Sequence, residues 1–277
     1  MPLDQSAYQT MQIDKRPNGV TVATFNRPEK LNAVNGRMHH ELSTISRDFQ
    51  TDRDSKVLVL TGAGRSFCAG GDFGGGGAGG PAAKKEGEES SGGGGGISLD
   101  EARMIVDHIL ECPKPIVSAV NGYAMGLGAT VALLCDVVVA GPSTVFADTH
   151  VKLGIGAGDG GQVIWPLLMG VNRAKWYLMT GDRLKGKDAY DMGLVSFLVD
   201  DDAEILNKAI ACADQLAAGP SLAISASKVP INHFIRFVSN MVLPLSLTME
   251  GANMRTQDAK EAARAFVEKR EPKFIGR

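Results

Sequence analysis

The sequence predicts an α/β core followed by a helical C-terminal part, and three observations carry that prediction. Short β-branched runs alternate with stretches of helical apolar spacing as far as Val199, the strand pattern then stops, and one long glycine-dominated stretch interrupts the alternation without belonging to it.

Val20 to Phe25 and Val57 to Thr61 are the first strands, and between them Gly36 to Gln50 places Met38, Leu42, Ile45 and Phe49 on one helical face. The pattern repeats with Leu99 to Leu110 as a helix, Pro115 to Val120 as a buried strand, Leu127 to Leu134 as a helix and Val137 to Ala140 as a strand. Strands separated by helices are crossover-connected, so they are expected to run parallel with helices on their outer side. Val195 to Val199 is the last strand. Ala203 to Ala218, Ser221 to Arg255 and Ala259 to Lys269 read as helices, and Pro230 and Pro244 are expected to kink or divide the middle one. Residues 1–200 are thus assigned to the core and 201–277 to a helical region. Within the core, residues 73–96 are mostly glycine with a mixed-charge insert at Lys84 to Glu89; such a stretch buries too little apolar surface to offset its ordering entropy, and a mobile loop is expected. Passive linker and functional lid are both open readings of it.

With 44% hydrophobic residues, a chain of 277 can bury a substantial core. Its 29 basic and 31 acidic residues leave a formal charge of -2, so no whole-chain field draws in nucleic acid or an anionic membrane, and neither is expected as a partner. No apolar run approaches a membrane span, Met1 to Thr10 lacks the pattern of a signal peptide, and a cytoplasmic location is expected. Cys68, Cys112, Cys135 and Cys212 are widely separated and mostly in apolar context, which reads as reduced packing residues and not as metal ligands or disulfide halves.

Five segments carry a more specific signal. Phe25-Asn26-Arg27-Pro28-Glu29-Lys30-Leu31-Asn32-Ala33 is followed, in order, by Gly64 to Asp72 (GRSFCAGGD), Pro115 to Gly128 (PIVSAVNGYAMGLG), Leu178 to Asp182 with Gly193-Leu194-Val195, and Ala265 to Arg270 with Pro272 and Phe274. Together they resemble the signatures of the crotonase (enoyl-CoA hydratase/isomerase) superfamily over nearly the whole chain. The resemblance implies a ββα spiral core, a helical C-terminal oligomerisation region forming trimers or hexamers, and an acyl-coenzyme A thioester as substrate, with no permanently bound cofactor.

By that resemblance, the backbone N–H groups of Gly71 and Leu127 form an oxyanion hole. The chemistry agrees, because a thioester enolate needs two amides aimed at its oxygen, and small residues let backbone approach a ligand closely. The resemblance also implies that the backbone of Ala69, Gly70 and Asp72 holds the adenine end of coenzyme A and that Lys30 and Leu31 lie along the ligand. Lys273 is a candidate for its phosphates, and a solvated lysine is the ordinary reading of either Lys30 or Lys273.

The chain departs from the family at two positions. Where ordinary hydratases carry two glutamates, this sequence has Thr130 and His150. An unactivated threonine hydroxyl is no base near neutral pH, whereas histidine exchanges protons there, which makes His150 the principal acid/base candidate. Asp159, nine residues on, either orients the imidazole as in other His–Asp pairs or, with Gln162, forms a capping box for the next helix. The His150 to Asp159 spacing also resembles crotonase-fold hydrolases of β-diketones, in which Glu250 would approach the cavity, although surface exposure is the plainer expectation for that residue. His39, His40, His108 and His233 lie in helical patterns and are read as structural. Gly156-x-Gly158-x-x-Gly161 satisfies the dinucleotide string but follows no clear strand, so a nicotinamide cofactor is not expected. The leading expectation is an acyl-CoA enzyme; the alternatives are a β-diketone hydrolase and a catalytically idle binding or assembly subunit.

Overall fold

The computed structural model describes residues 3–72 and 98–277. The glycine-rich stretch expected to be a mobile loop, 73–96, lies outside the described residues.

The chain opens with β1 (Met11–Lys15) and β2 (Val20–Phe25), an antiparallel pair, then α1 (Gly36–Thr51). Three coils of the same plan follow. The first is β3 (Val57–Gly62), β4 (Ser66–Cys68) and α2 (Leu99–Glu111); the second is β5 (Ile116–Val120), β6 (Tyr123–Met125) and α3 (Leu127–Leu134); the third is β7 (Val137–Ala140), β8 (Val145–Ala147) and α4 (Gly161–Met169). Each coil gives its first strand to a large sheet, its second to a small sheet, and then a helix, which is a ββα spiral. The remaining elements are α5 (Val171–Thr180), β9 (Leu184–Lys185), α6 (Gly186–Asp191), β10 (Phe197–Leu198), α7 (Ile205–Ala218), α8 (Ser221–Asn253) and α9 (Gln257–Glu268). The large sheet runs β1-β2-β3-β5-β7-β10 and is parallel apart from β1; the small one runs β4-β6-β8-β9.

The period of two along the strands separates two cores. Leu58 and Leu60 face the main core with Phe25, Phe49 and Ile105, while Val57, Val59, Val117 and Val139 face away and are covered by Ile205, Ala209, Ala213 and Ala217 of α7. The small residues on α7 let it sit close on the sheet.

Helix α8 is not divided: it runs for 33 residues with Pro230 and Pro244 inside it. A mid-helix proline removes a backbone bond and costs about 3 kcal/mol, so other contacts must offset it. Around Pro230, Ser225 Oγ donates to Pro113 O at 2.8 Å, Lys228 Nζ to Lys114 O at 2.8 Å and Asn232 Nδ2 to Leu110 O at 3.0 Å. These fasten both sides of the proline to the end of α2. No helix among the described residues is long and apolar enough to cross a membrane. All four cysteines are free, and burial pushes the Cys68 thiol up to about 12.

Candidate active site

Two glycine turns meet at the mouth of the small sheet. After β4, Val34 N donates to Gly70 O at 2.7 Å and Asp72 N donates to Val34 O at 2.9 Å, a parallel bridge between the start of α1 and Gly71. A parallel bridge of this register turns the amide of Gly71 away from Val34, and that amide has no acceptor among the described residues. The second turn is Gly126, at φ 50°, a backbone conformation suited to glycine. Leu127 follows as the first residue of α3, where an amide has no partner within the helix. The turns touch, since a Cβ on Gly70 would stand 3.2 Å from Met125 O. Gly71 and Leu127 line one cavity with His150, Asp159 and Glu250.

His150 begins a 3-10 turn, His150–Leu153, directly after β8. Its ring lies over Gly126, where a Cβ would stand 3.2 Å from Cε1. Nδ1 donates to Asp148 Oδ1 at 2.6 Å, and Nε2 lies 3.4 Å from Asp159 Oδ2. Asp159 Oδ1 in turn accepts from Thr130 Oγ1 at 3.2 Å. The imidazole is therefore held between two buried carboxylates, with Asp148 fully covered. Burial alone would lower the affinity of His150 for its proton, but the charges of Asp148 and Asp159, the hydrogen bond to Asp148 and the charge of Glu250 together hold its pKa well above the ordinary 6.5. Asp159 is raised, by burial and by the charge of Asp148, against the lowering effects of His150, Thr130 and His39. Asp148, His150 and Asp159 also offer three ligand atoms within 4.8 Å of one another. At 2.6 Å, however, the His150–Asp148 contact is a proton-sharing distance, and a cation would have to displace that proton.

Two expectations are overturned here. Glu250 is not a surface residue: it is 4% exposed, lines the cavity, and its Oε2 has no hydrogen-bond partner among the described residues. Burial, aided by the charges of Asp159 and Asp148 and opposed by that of His150, pushes its pKa up to about 8. Asp159 does not cap the following helix, because α4 starts after Gly160, whose position carries no side-chain cap. The side chain of Asp159 turns to Thr130 and His150 instead, and Gln162 Oε1 accepts from Ser246 Oγ. The Gly156–Gly161 string follows the 3-10 turn, not a strand.

The other residues singled out are more dispersed. Ala69 and Gly70 line the cavity, while Lys30 is exposed beside it in sequence and Leu31 adopts φ 53° at the end of a 3-10 turn. The amide of Ala69 donates to Leu31 O at 3.1 Å, and Asp72 pairs with Arg27 at 2.8 Å, so the Asp72 carboxylate acts as a strut. Lys273 does not line the cavity; it shares a surface depression with Lys260, Arg264 and Arg270 by α9. Two residues were missed by sequence reasoning. Asp148 stood in view two positions before His150, but only the turn after β8 folds it back onto the ring. His39, read as structural, lines the cavity.

Comparison with known proteins identifies the family. The family model for enoyl-CoA hydratase/isomerase matches residues 15–277. The chain belongs to the enoyl-CoA hydratase/isomerase family. Its relatives include a probable enoyl-CoA hydratase of Rhodobacter capsulatus, 33% identical over 98% of this chain and 100% of that protein. A 1,2-epoxyphenylacetyl-CoA isomerase of Escherichia coli is also 33% identical, over 94% of this chain and 96% of the other. A crystal structure of an enoyl-CoA hydratase/isomerase from Mycobacterium paratuberculosis superposes with a TM-score of 0.81 at 29% identity, covering 93% of this chain and 98% of that one. The crotonase fold expected from the sequence is thereby established, and the chain is an enzyme of the hydratase/isomerase type.

Proposed function

We propose that this enzyme acts on an acyl-CoA thioester by moving a proton at Cα or Cβ, with the amides of Gly71 and Leu127 holding the thioester oxygen and His150 as the proton-transferring group. The observation that carries the reading is a buried imidazole between two carboxylates, in the same cavity that Gly71 and Leu127 line. As negative charge gathers on the thioester oxygen, the two amides stabilise it, and the N-terminal end of α3 adds its dipole.

The surrounding carboxylates raise the pKa of His150 and favour its imidazolium, which suits it to deliver the Nε2 proton to substrate carbon once the enolate has formed. The raised pKa of Asp159 suits it to the complementary task of accepting a proton, either from substrate carbon or from a water, while Asp148 fixes the ring. In hydration Asp159 takes a proton from water as the water oxygen bonds to Cβ and the alkene π electrons move onto the thioester oxygen. In isomerisation it takes the proton from carbon instead. In both, the enolate collapses as another carbon accepts the His150 proton. Lys30 and the backbone at Ala69, Gly70, Leu31 and Asp72 would follow the coenzyme A portion, and the cluster of Lys273 with Lys260, Arg264 and Arg270 suits its phosphates.

Self-association belongs to the same reading. Phe234, Phe237, Met241, Leu245 and Met249 form a stripe along α8, each more than half exposed, and such a stripe is expected to be covered by further copies of the chain as a trimer or hexamer.

The test is to titrate the protein calorimetrically with butyryl-CoA and to incubate it with enoyl-CoA thioesters and cyclic β-diketones, identifying products by mass spectrometry. Saturable thioester binding, with enoyl-CoA turnover reduced at least about a hundredfold in His150→Gln, is expected. Hydrolysis of a β-diketone without thioester binding would establish the hydrolase alternative instead, and thioester binding without any turnover would establish an idle binding subunit.

A further inference from the structure

A second carboxylate–histidine pair stands in the wall of the same cavity, apart from the His150 cluster. His39, on the second turn of α1, is fully buried and lines the cavity. Its Nδ1 donates to Glu101 Oε2 at 2.9 Å, while Oε1 of the same carboxylate accepts from Nδ1 of the half-exposed His40 at 2.9 Å. Burial would raise the Glu101 pKa, but the hydrogen bonds and charges of the two imidazoles hold it below its usual value, so the carboxylate stays anionic and orients the His39 ring through Nδ1. That leaves Nε2, which is buried and has no hydrogen-bond partner among the described residues. The same cavity is lined by apolar side chains that include Val34, Leu99, Ala102 and Ile155.

A hydrocarbon chain filling this space would leave Nε2 desolvated and unpaired, whereas a hydroxyl, which can donate or accept, would supply the missing partner. We propose that His39, aligned by Glu101, is a specificity residue that hydrogen-bonds through Nε2 with a hydroxyl carried on the acyl chain beyond the reacting Cα–Cβ pair. The proposal deepens the acyl-CoA reading above and rests on it.

The experiment compares dissociation constants of hexanoyl-CoA and of hexanoyl-CoA bearing one hydroxyl at the γ, δ or ω carbon. At least one hydroxylated thioester is expected to bind the unaltered enzyme about tenfold or more tighter than the plain one. His39→Leu should abolish the preference while leaving hexanoyl-CoA affinity within about threefold. Glu101→Gln, at a partly exposed position, covers the case in which the buried substitution does not fold: it should weaken the preference, as the ring is no longer oriented by a charged partner. Equal binding of all four thioesters by the unaltered enzyme, or a preference that survives both substitutions, would overturn the proposal alone. Failure of every thioester to bind would overturn the acyl-CoA reading and this proposal with it.

Discussion

Replacing Asp148 by asparagine probes the His150 cluster with the least disturbance of shape. The side chain is fully buried, its Oδ1 accepts from His150 Nδ1 at 2.6 Å and from the His150 amide at 3.3 Å, and Gly161 packs so closely that a Cβ there would lie 2.5 Å from Oδ2. Asparagine keeps the volume and removes the charge. A hydrogen bond to a charged partner contributes roughly 1.5–3 kcal/mol, and each 1.4 kcal/mol is about tenfold in rate, so kcat/KM is expected to fall roughly 10- to 150-fold. The pH profile gives the sharper reading. The Asp148 charge raises the His150 pKa, and in the proposed mechanism the imidazolium is the acid, so activity should be lost as pH rises through that pKa. In Asp148→Asn the alkaline limb must move to lower pH. Steady-state kinetics across pH 5 to 10 measures both quantities; a wild-type kcat/KM, or a loss with the alkaline limb unmoved, would refute the role assigned to this carboxylate.

Three further outcomes are expected. The folded-state pKa of Glu250, about 8, lies above its ordinary 4.5, so the native chain holds that proton more tightly than the unfolded one, and stability contributed by Glu250 is lost as pH rises through this window. Glu250→Gln should flatten the pH dependence of urea unfolding there by up to roughly 1.4 kcal/mol per pH unit. Gly158→Ala would set a Cβ 2.6 Å from Ser246 O and 2.5 Å from Glu250 Oε2; the α8 backbone has no room to yield, and a loss of roughly 1–3 kcal/mol in unfolding free energy is expected. Phe237→Glu with Met241→Glu should leave a smaller species in sedimentation velocity than the parent chain, and an unchanged sedimentation coefficient would count against α8 as the association surface.

What the sequence revealed depended on how much local pattern each feature carries. Val20–Phe25, Leu127–Leu134 and Val137–Ala140 appear in the structure with the bounds read from apolar pattern, because each is a contiguous buried segment with turn residues at its ends. Strands β4, β6 and β8 have three residues each, too few for a period of two to register, and they exist because the coils stack them side by side. At the site, the glycine turns and His150 were legible as motifs, since backbone chemistry forces small residues into fixed places. Glu250 was not, because α8 looks amphipathic in isolation and its inward face is chosen by packing on α2 and α4. His39 escaped for a related reason: its partner, Glu101, is 62 residues away in the chain.

The residues around the cavity come from almost the full length of the polypeptide, beginning at Val34 and ending at Phe266 on the last helix. A chain still emerging from the ribosome would therefore possess both glycine turns and the histidine long before it possessed an enclosed chamber. Ligand cannot assist the early stages of folding, and any thioester-dependent gain in resistance to proteolysis should be confined to polypeptides that include α9.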